Sequence, residues 1–107
     1  MNAVGWKNGK FNRFGIGFGI KIDKKDRDQY FNKTWDCVVV YLENNQQIIV
    51  SLSPSFWSNC TELRSCEFGK YMISKGLAPW PDRNPPIFEL KSFGDKKFKL
   101  SIEKEEV

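Results

Sequence analysis

The stretch Phe14-Gly15-Ile16-Gly17-Phe18-Gly19-Ile20-Lys21-Ile22 sets an apolar side chain at every even position and glycine or lysine at every odd one. A two-residue period sustained this long predicts a half-buried β-strand. The odd face of that strand is bare backbone at Gly15, Gly17 and Gly19. Glycine inside a strand weakens it, and marks a bulge, a bend or the close approach of another group. The pattern therefore requires a cover over the stripe, drawn from the same chain or from a ligand.

The flanking residues extend the pattern into a sheet. Val4 to Lys7 reads as a short first strand, turned into the glycine-rich one by Asn8-Gly9, a strong hairpin signal. Residues 23–34 are charged and then aromatic, and read as an exposed loop whose Tyr30 and Phe31 tuck back onto the core. Trp35 to Leu42 is apolar on both faces apart from Asp36, as expected of a central strand. A two-residue loop at Asn44-Asn45 leads into a fourth strand, Gln47 to Leu52, pairing Tyr41 with Ile48, Val39 with Val50 and Cys37 with Leu52.

Ser53-Pro54 supplies a cap and a first helical residue, with a second possible start at Asn59-Cys60-Thr61-Glu62. Lys75-Gly76-Leu77 reads as the stop. Ala78 to Pro86 is a stiff extended connection, because residues before proline avoid the helical region. Ile87–Ser92 and Phe98–Ile102 close the chain as a hairpin, in which matching Phe88 and Leu90 to Ile102 and Leu100 needs an odd loop. The expectation is an α+β domain over residues 1–107, in the order β-β-β-β-α-β-β. It is a curved, mostly antiparallel sheet of five to six strands or a small open barrel, with one helix, or two short ones, over about residues 54–75.

Composition narrows the chemistry. The chain has no histidine, which removes Ser-His and Cys-His nucleophile pairs and the commonest metal ligand. Cys37, Cys60 and Cys66 are an odd, scattered set, poor as a disulfide framework or a zinc site and suited to small buried hydrophobes. No apolar run reaches membrane-spanning length and no signal-peptide pattern opens the chain, so the expected compartment is cytoplasmic, with no membrane partner. Asp23, Asp26 and Asp28 lack the loop glycine and terminal glutamate of a calcium loop. No cofactor or metal is expected.

Three comparisons with known motifs end short of a match. The alternating glycines are not a dinucleotide fingerprint, since no helix N-terminus follows them to hold a pyrophosphate. Gly15-Ile16-Gly17-Phe18 resembles part of an RNA-recognition-motif strand, but Ile16 and Lys21 stand where aromatics belong and no helix precedes it. Pro81-Asp82 with Glu89-Leu90-Lys91 has the letters of the PD…ExK nuclease pattern, in which the acids hold Mg²⁺ and the lysine steadies the attacking water. The six residues between Asp82 and Glu89 include two prolines, hardly enough chain for two adjacent strands.

What remains is binding without catalysis. Residues 1–22 contain Lys7, Lys10, Arg13 and Lys21 and no acid. Trp6 and Phe11 stand among these cations, where bases could stack while phosphates meet charge, so nucleic acid is the first candidate partner. The competing reading of the same aromatics is cover for the glycine stripe. A second candidate partner is another protein or a second copy of the chain, met along a sheet edge or through Tyr30, Trp80 and Pro81. A Mg²⁺-dependent nuclease is a distant third.

Overall fold

A computed structural model describes residues 1–81 and 83–103. Its strands are β1 (Asn2–Lys7), β2 (Phe18–Ile22), β3 (Cys37–Tyr41), β4 (Gln47–Ser51), β5 (Glu62–Arg64), β6 (Ile87–Gly94) and β7 (Lys97–Ile102). They form one seven-stranded sheet in the order β4-β3-β7-β6-β1-β2-β5. Neighbours are antiparallel except β3 and β7, which run parallel with Val40 opposite Phe98. The two edge strands, β4 and β5, approach one another, so the sheet curls into a nearly closed barrel. Helix α1 (Lys24–Tyr30) follows β2, a 3₁₀ turn (Pro54–Trp57) follows β4, and α2 (Cys66–Ser74) follows β5.

The inner face is the even-numbered half of β2, β3, β4, β6 and β7, and the odd-numbered half of β1 and β5, where Ala3 and Leu63 are buried. Phe18, Ile20, Ile22, Val38, Val40, Ile48, Val50, Phe88, Leu90, Phe98 and Leu100 are all buried there. Each such side chain contributes about 1.5–3 kcal/mol on leaving water. From α2, Phe68, Tyr71 and Met72 join the same cluster. Phe31 enters it just after α1, stacking on Phe98 with ring centroids 4.6 Å apart.

Several expectations need correction. The glycine-rich strand is half as long as its period suggests: β2 begins at Phe18, and Gly15 and Gly17 turn out of the strand with φ of 89° and 84°. Asn8-Gly9 is accordingly no hairpin turn. Lys7 pairs with Phe18, leaving the ten residues 8–17 as a loop. Residues 24–30 are helix rather than loop, because the Asp23 carboxylate accepts from the Lys24 amide as a cap. Behind that cap, the buried Arg27 donates from Nη1 to the carbonyl oxygens of Phe56 (2.9 Å) and Ser58 (3.2 Å), tying α1 to the 3₁₀ turn.

The β3–β4 register also differs by one. Val38 faces Val50 and Val40 faces Ile48, whereas Val39 faces Ile49, which is 71% exposed. The turn is three residues long, Glu43 to Asn45, with Asn45 at φ 67° and the Leu42 amide bonded to the Gln46 carbonyl. A left-handed third residue is the geometry that lets such a loop join two twisted strands. Residues 54–75 are broken by β5, and α2 starts at Cys66 behind the cap Ser65, whose hydroxyl accepts from the Glu67 amide.

Other expectations are met. The stop at Gly76 is a Schellman motif: the Leu77 amide bonds to Met72 and the Gly76 amide to Ile73. Phe88 pairs with Ile102 and Leu90 with Leu100 as expected, but not through the odd loop of three or five residues. A bulge between Ser92 and Gly94 shifts the register so that the two-residue turn Asp95-Lys96 closes the hairpin. Among the described residues, no helix is long and apolar enough to cross a membrane.

The three stripe glycines are covered from within the chain. A β-carbon on Gly19 would stand 2.5 Å from the Leu63 carbonyl oxygen of β5, and one on Gly17 would meet Asn8 and the Phe11 backbone. Gly15 lies against α2, where a β-carbon would collide with the Cys66 carbonyl oxygen. The contact is mutual, because a β-carbon on Gly69 would sit 2.5 Å from the Gly15 Cα and 2.8 Å from its carbonyl carbon.

Two outcomes follow. In an open helix Gly→Ala is stabilising by about 0.8–1 kcal/mol. Gly69→Ala instead destabilises this protein by about 1–3 kcal/mol, because backbone must move aside; urea unfolding reads the sign directly. The second concerns Tyr71, whose hydroxyl donates to Glu43 Oε1 at 2.9 Å. Burial, reinforced by the hydrogen bond and charge of Glu43, pushes the Tyr71 pKa above its ordinary range. A raised pKa leaves stability intact below about pH 10, the ordinary tyrosine value, and removes it as pH climbs beyond that. Tyr71→Phe should therefore lower stability at neutral pH and flatten its alkaline decline, as followed by urea melts at stepped pH.

Candidate nucleic-acid interface

Loop 8–17 is built by two asparagines. The Asn8 amide donates to the Gly17 carbonyl at 2.9 Å, closing the base of the loop, and the Asn8 side chain accepts from the Lys10 amide at 2.8 Å. At the tip, Asn12 Oδ1 accepts from the amides of Phe14 (2.9 Å) and Ile16 (3.3 Å), while the Asn12 amide donates to the Ile16 carbonyl. Asparagine turns of this kind supply locally the bonds that a strand ladder would have given. With Gly15 seated on α2, the loop has a fixed shape.

Its side chains fall into two groups. On the barrel rim, the Lys7 ammonium lies 4.9 Å from the Phe11 ring centroid and 4.8 Å from that of Trp80. Lys7 Nζ also donates to the Trp80 carbonyl at 3.1 Å. Trp80 and Pro86 lie over Gly5, and Phe11 and Trp80 both contact Phe18. These side chains pack over Phe18 and Gly5, which commits the Lys7 charge to the two rings and the Trp80 carbonyl.

On the outer face, the Arg64 guanidinium lies 4.5 Å from the Trp6 ring centroid. The register explains the meeting: Trp6 and Arg64 both pair with Gly19, whose missing side chain leaves room above β2. Arg64 keeps an ion pair to Glu62 at 3.0 Å and stays half exposed. Lys21, opposite Val4 and Glu62, is one row along the same face. Between this face and the loop lies a cleft of about 240 Å³ walled by Trp6, Ile16, Arg64 and Cys66. Phe14 and Ile16 stand out in solvent, 60% and 55% exposed, with Arg13 set 5.0 Å from the Phe14 ring. Lys10 and Arg13 are exposed and make no ion pair among the described residues.

The structure thus gathers Trp6 and Lys21 on one surface, places Lys7 and Phe11 on another, and leaves Lys10 and Arg13 on the loop between them. Sequence patterns do not single out Arg64, Phe14 or Ile16, the first because β5 carries helical spacing, the others because their period assigns them to a buried face. Tyr30 ends α1 and makes no ring contact with Trp80 among the described residues. Trp80 and Pro81 border a wider hollow of about 610 Å³ with Pro79, Pro85 and Pro86. Asp82 lies outside the described residues, while Glu89 and Lys91 project from the outer face of β6. Among the described residues, no group of three or more His, Cys, Asp or Glu side chains could hold a metal ion.

The chain matches no protein-family model, no curated protein and no solved structure.

The two groups of side chains respond differently to truncation. Trp80→Ala lowers the unfolding free energy by about 2 kcal/mol, less than the ~3–5 of a fully buried tryptophan. Phe14→Ser stays within about 0.5 kcal/mol of the parent, as a solvent-facing side chain should. Chemical denaturation of both variants checks the contrast.

Proposed function

We propose that this protein binds nucleic acid through loop 8–17 and the adjoining outer face of β1, β2 and β5. The observation that carries the reading is the loop itself. Its charged residues are Lys10 and Arg13, both cations, and it holds Phe14 and Ile16 in solvent beside a cleft walled by Trp6 and Arg64. Exposed apolar side chains on a rigid support lose little conformational freedom when a partner covers them. Cations around them select a partner with negative charge. A base stacked against Trp6 or Phe14, with phosphates on Arg64, Lys21, Lys10 and Arg13, satisfies both demands.

Binding of this kind weakens steeply as salt rises from about 50 to about 200 mM, because phosphate contacts release counterions. A Lys10→Glu, Arg13→Glu double variant should lose affinity by about ten-fold or more in fluorescence anisotropy at low salt, with an unchanged melting temperature. Absence of any DNA or RNA binding at low salt ends the proposal. A salt-tolerant complex captured through Phe14 and Ile16 would move the reading to a protein partner.

A further inference from the structure

The outer face of β6, β7 and β3 carries a second cationic and aromatic surface that loop 8–17 does not reach through any pairing. Lys91 and Lys99 are directly opposite one another in the β6–β7 ladder. Lys99 is in turn level with Tyr41 on β3, and Lys97 with Val39. Neither lysine of the opposed pair makes an ion pair or a side-chain hydrogen bond among the described residues, although Glu89 stands one row away on the same face. Like charges opposite one another across an antiparallel ladder destabilise it. The fold keeps a repulsive pair at a position where an acid would serve it better.

Aromatic rings stand beside this pair. Phe93, lifted by the bulge between Ser92 and Gly94, is 51% exposed and meets Tyr41 edge-on, with centroids 5.1 Å apart. The face of an exposed ring beside unpaired ammonium groups suits an unstacked base with its phosphate. A duplex offers its charges but keeps its base faces covered, so the arrangement fits single strands.

We infer that the outer face of β6–β7–β3 is a binding surface for single-stranded nucleic acid, with a base stacked on Phe93 and phosphates held by Lys91, Lys97 and Lys99. The inference takes its ligand class from the function proposed for the loop and assigns it a separate surface. Lys91→Glu tests it by opposite signs. Relieving the Lys91–Lys99 repulsion raises the melting temperature of the free protein by a few degrees. The same change weakens binding of a fluorescein-labelled oligothymidylate about ten-fold and makes the salt dependence shallower by about 0.7 for each phosphate no longer neutralised. Phe93→Ala weakens binding by about five-fold or more, and unlabelled single strand competes better than duplex of the same sequence. Unchanged affinity in Lys91→Glu and Phe93→Ala, with weaker binding in the Lys10→Glu, Arg13→Glu variant, overturns this inference and leaves the loop reading standing. Equal competition by duplex also overturns it.

Discussion

Gly15 and Gly69 touch backbone to backbone, and neither position tolerates a β-carbon. That contact joins the tip of loop 8–17 to the middle of α2, so the conformation of the loop and the seat of the helix are settled together. The left-handed turn at Gly15 is one consequence, since a chain pressed against a helix must leave its strand there. The exposure of Phe14 and Ile16 is another, because turning the backbone inward at Gly15 sends its neighbours outward. The cleft beside Trp6 exists because Ile16 is held on its far side. A helix glycine that would otherwise weaken α2 thus fixes the surface on which the proposed function rests.

The same glycine run shows what a sequence can and cannot disclose. Its period correctly identifies the buried residues Phe18, Ile20 and Ile22, and correctly requires a cover for the odd positions. It fails at Phe14 and Ile16, which keep the period without being strand. Nothing local separates an apolar residue that faces a core from one that faces water on a loop; the difference is set by α2, some fifty residues away in the chain. The β3–β4 hairpin fails more narrowly. Its apolar positions fit two registers, and the choice falls to the left-handed conformation of Asn45, which also determines that Ile49 points outward. Where stop signals act within a few residues, as at Gly76, pattern and structure agree completely.

Long-range pairing is the least legible part. The parallel contact of β3 with β7 turns an expected string of hairpins into a mixed, nearly closed barrel, and no turn signal announces it. It is also what brings Tyr41 level with Lys99 and within reach of Phe93. The chemistry-bearing residues follow the same rule. Lys7 and Phe11, singled out from one stretch, and Trp80, singled out from another, meet in one cluster, where their contacts serve the fold. Trp6 gains a partner, Arg64, from a strand that sequence patterns read as helix.

Charge placement orders the surfaces by what each does for the fold. The Lys7 ammonium is satisfied by two rings and a carbonyl, and Arg27 by two carbonyls and Asp28, so both cations belong to the architecture. Lys10, Lys91 and Lys99 have no such partners among the described residues, and Arg13 has the exposed Phe14 ring and no ion pair there. Scattered surface lysines are ordinary, but a pair locked opposite one another in a ladder costs stability that a single acidic substitution would restore. On the two faces proposed for binding, these cations stand near exposed rings, Phe14 on the loop and Phe93 at the bulge, and both proposals start from that juxtaposition.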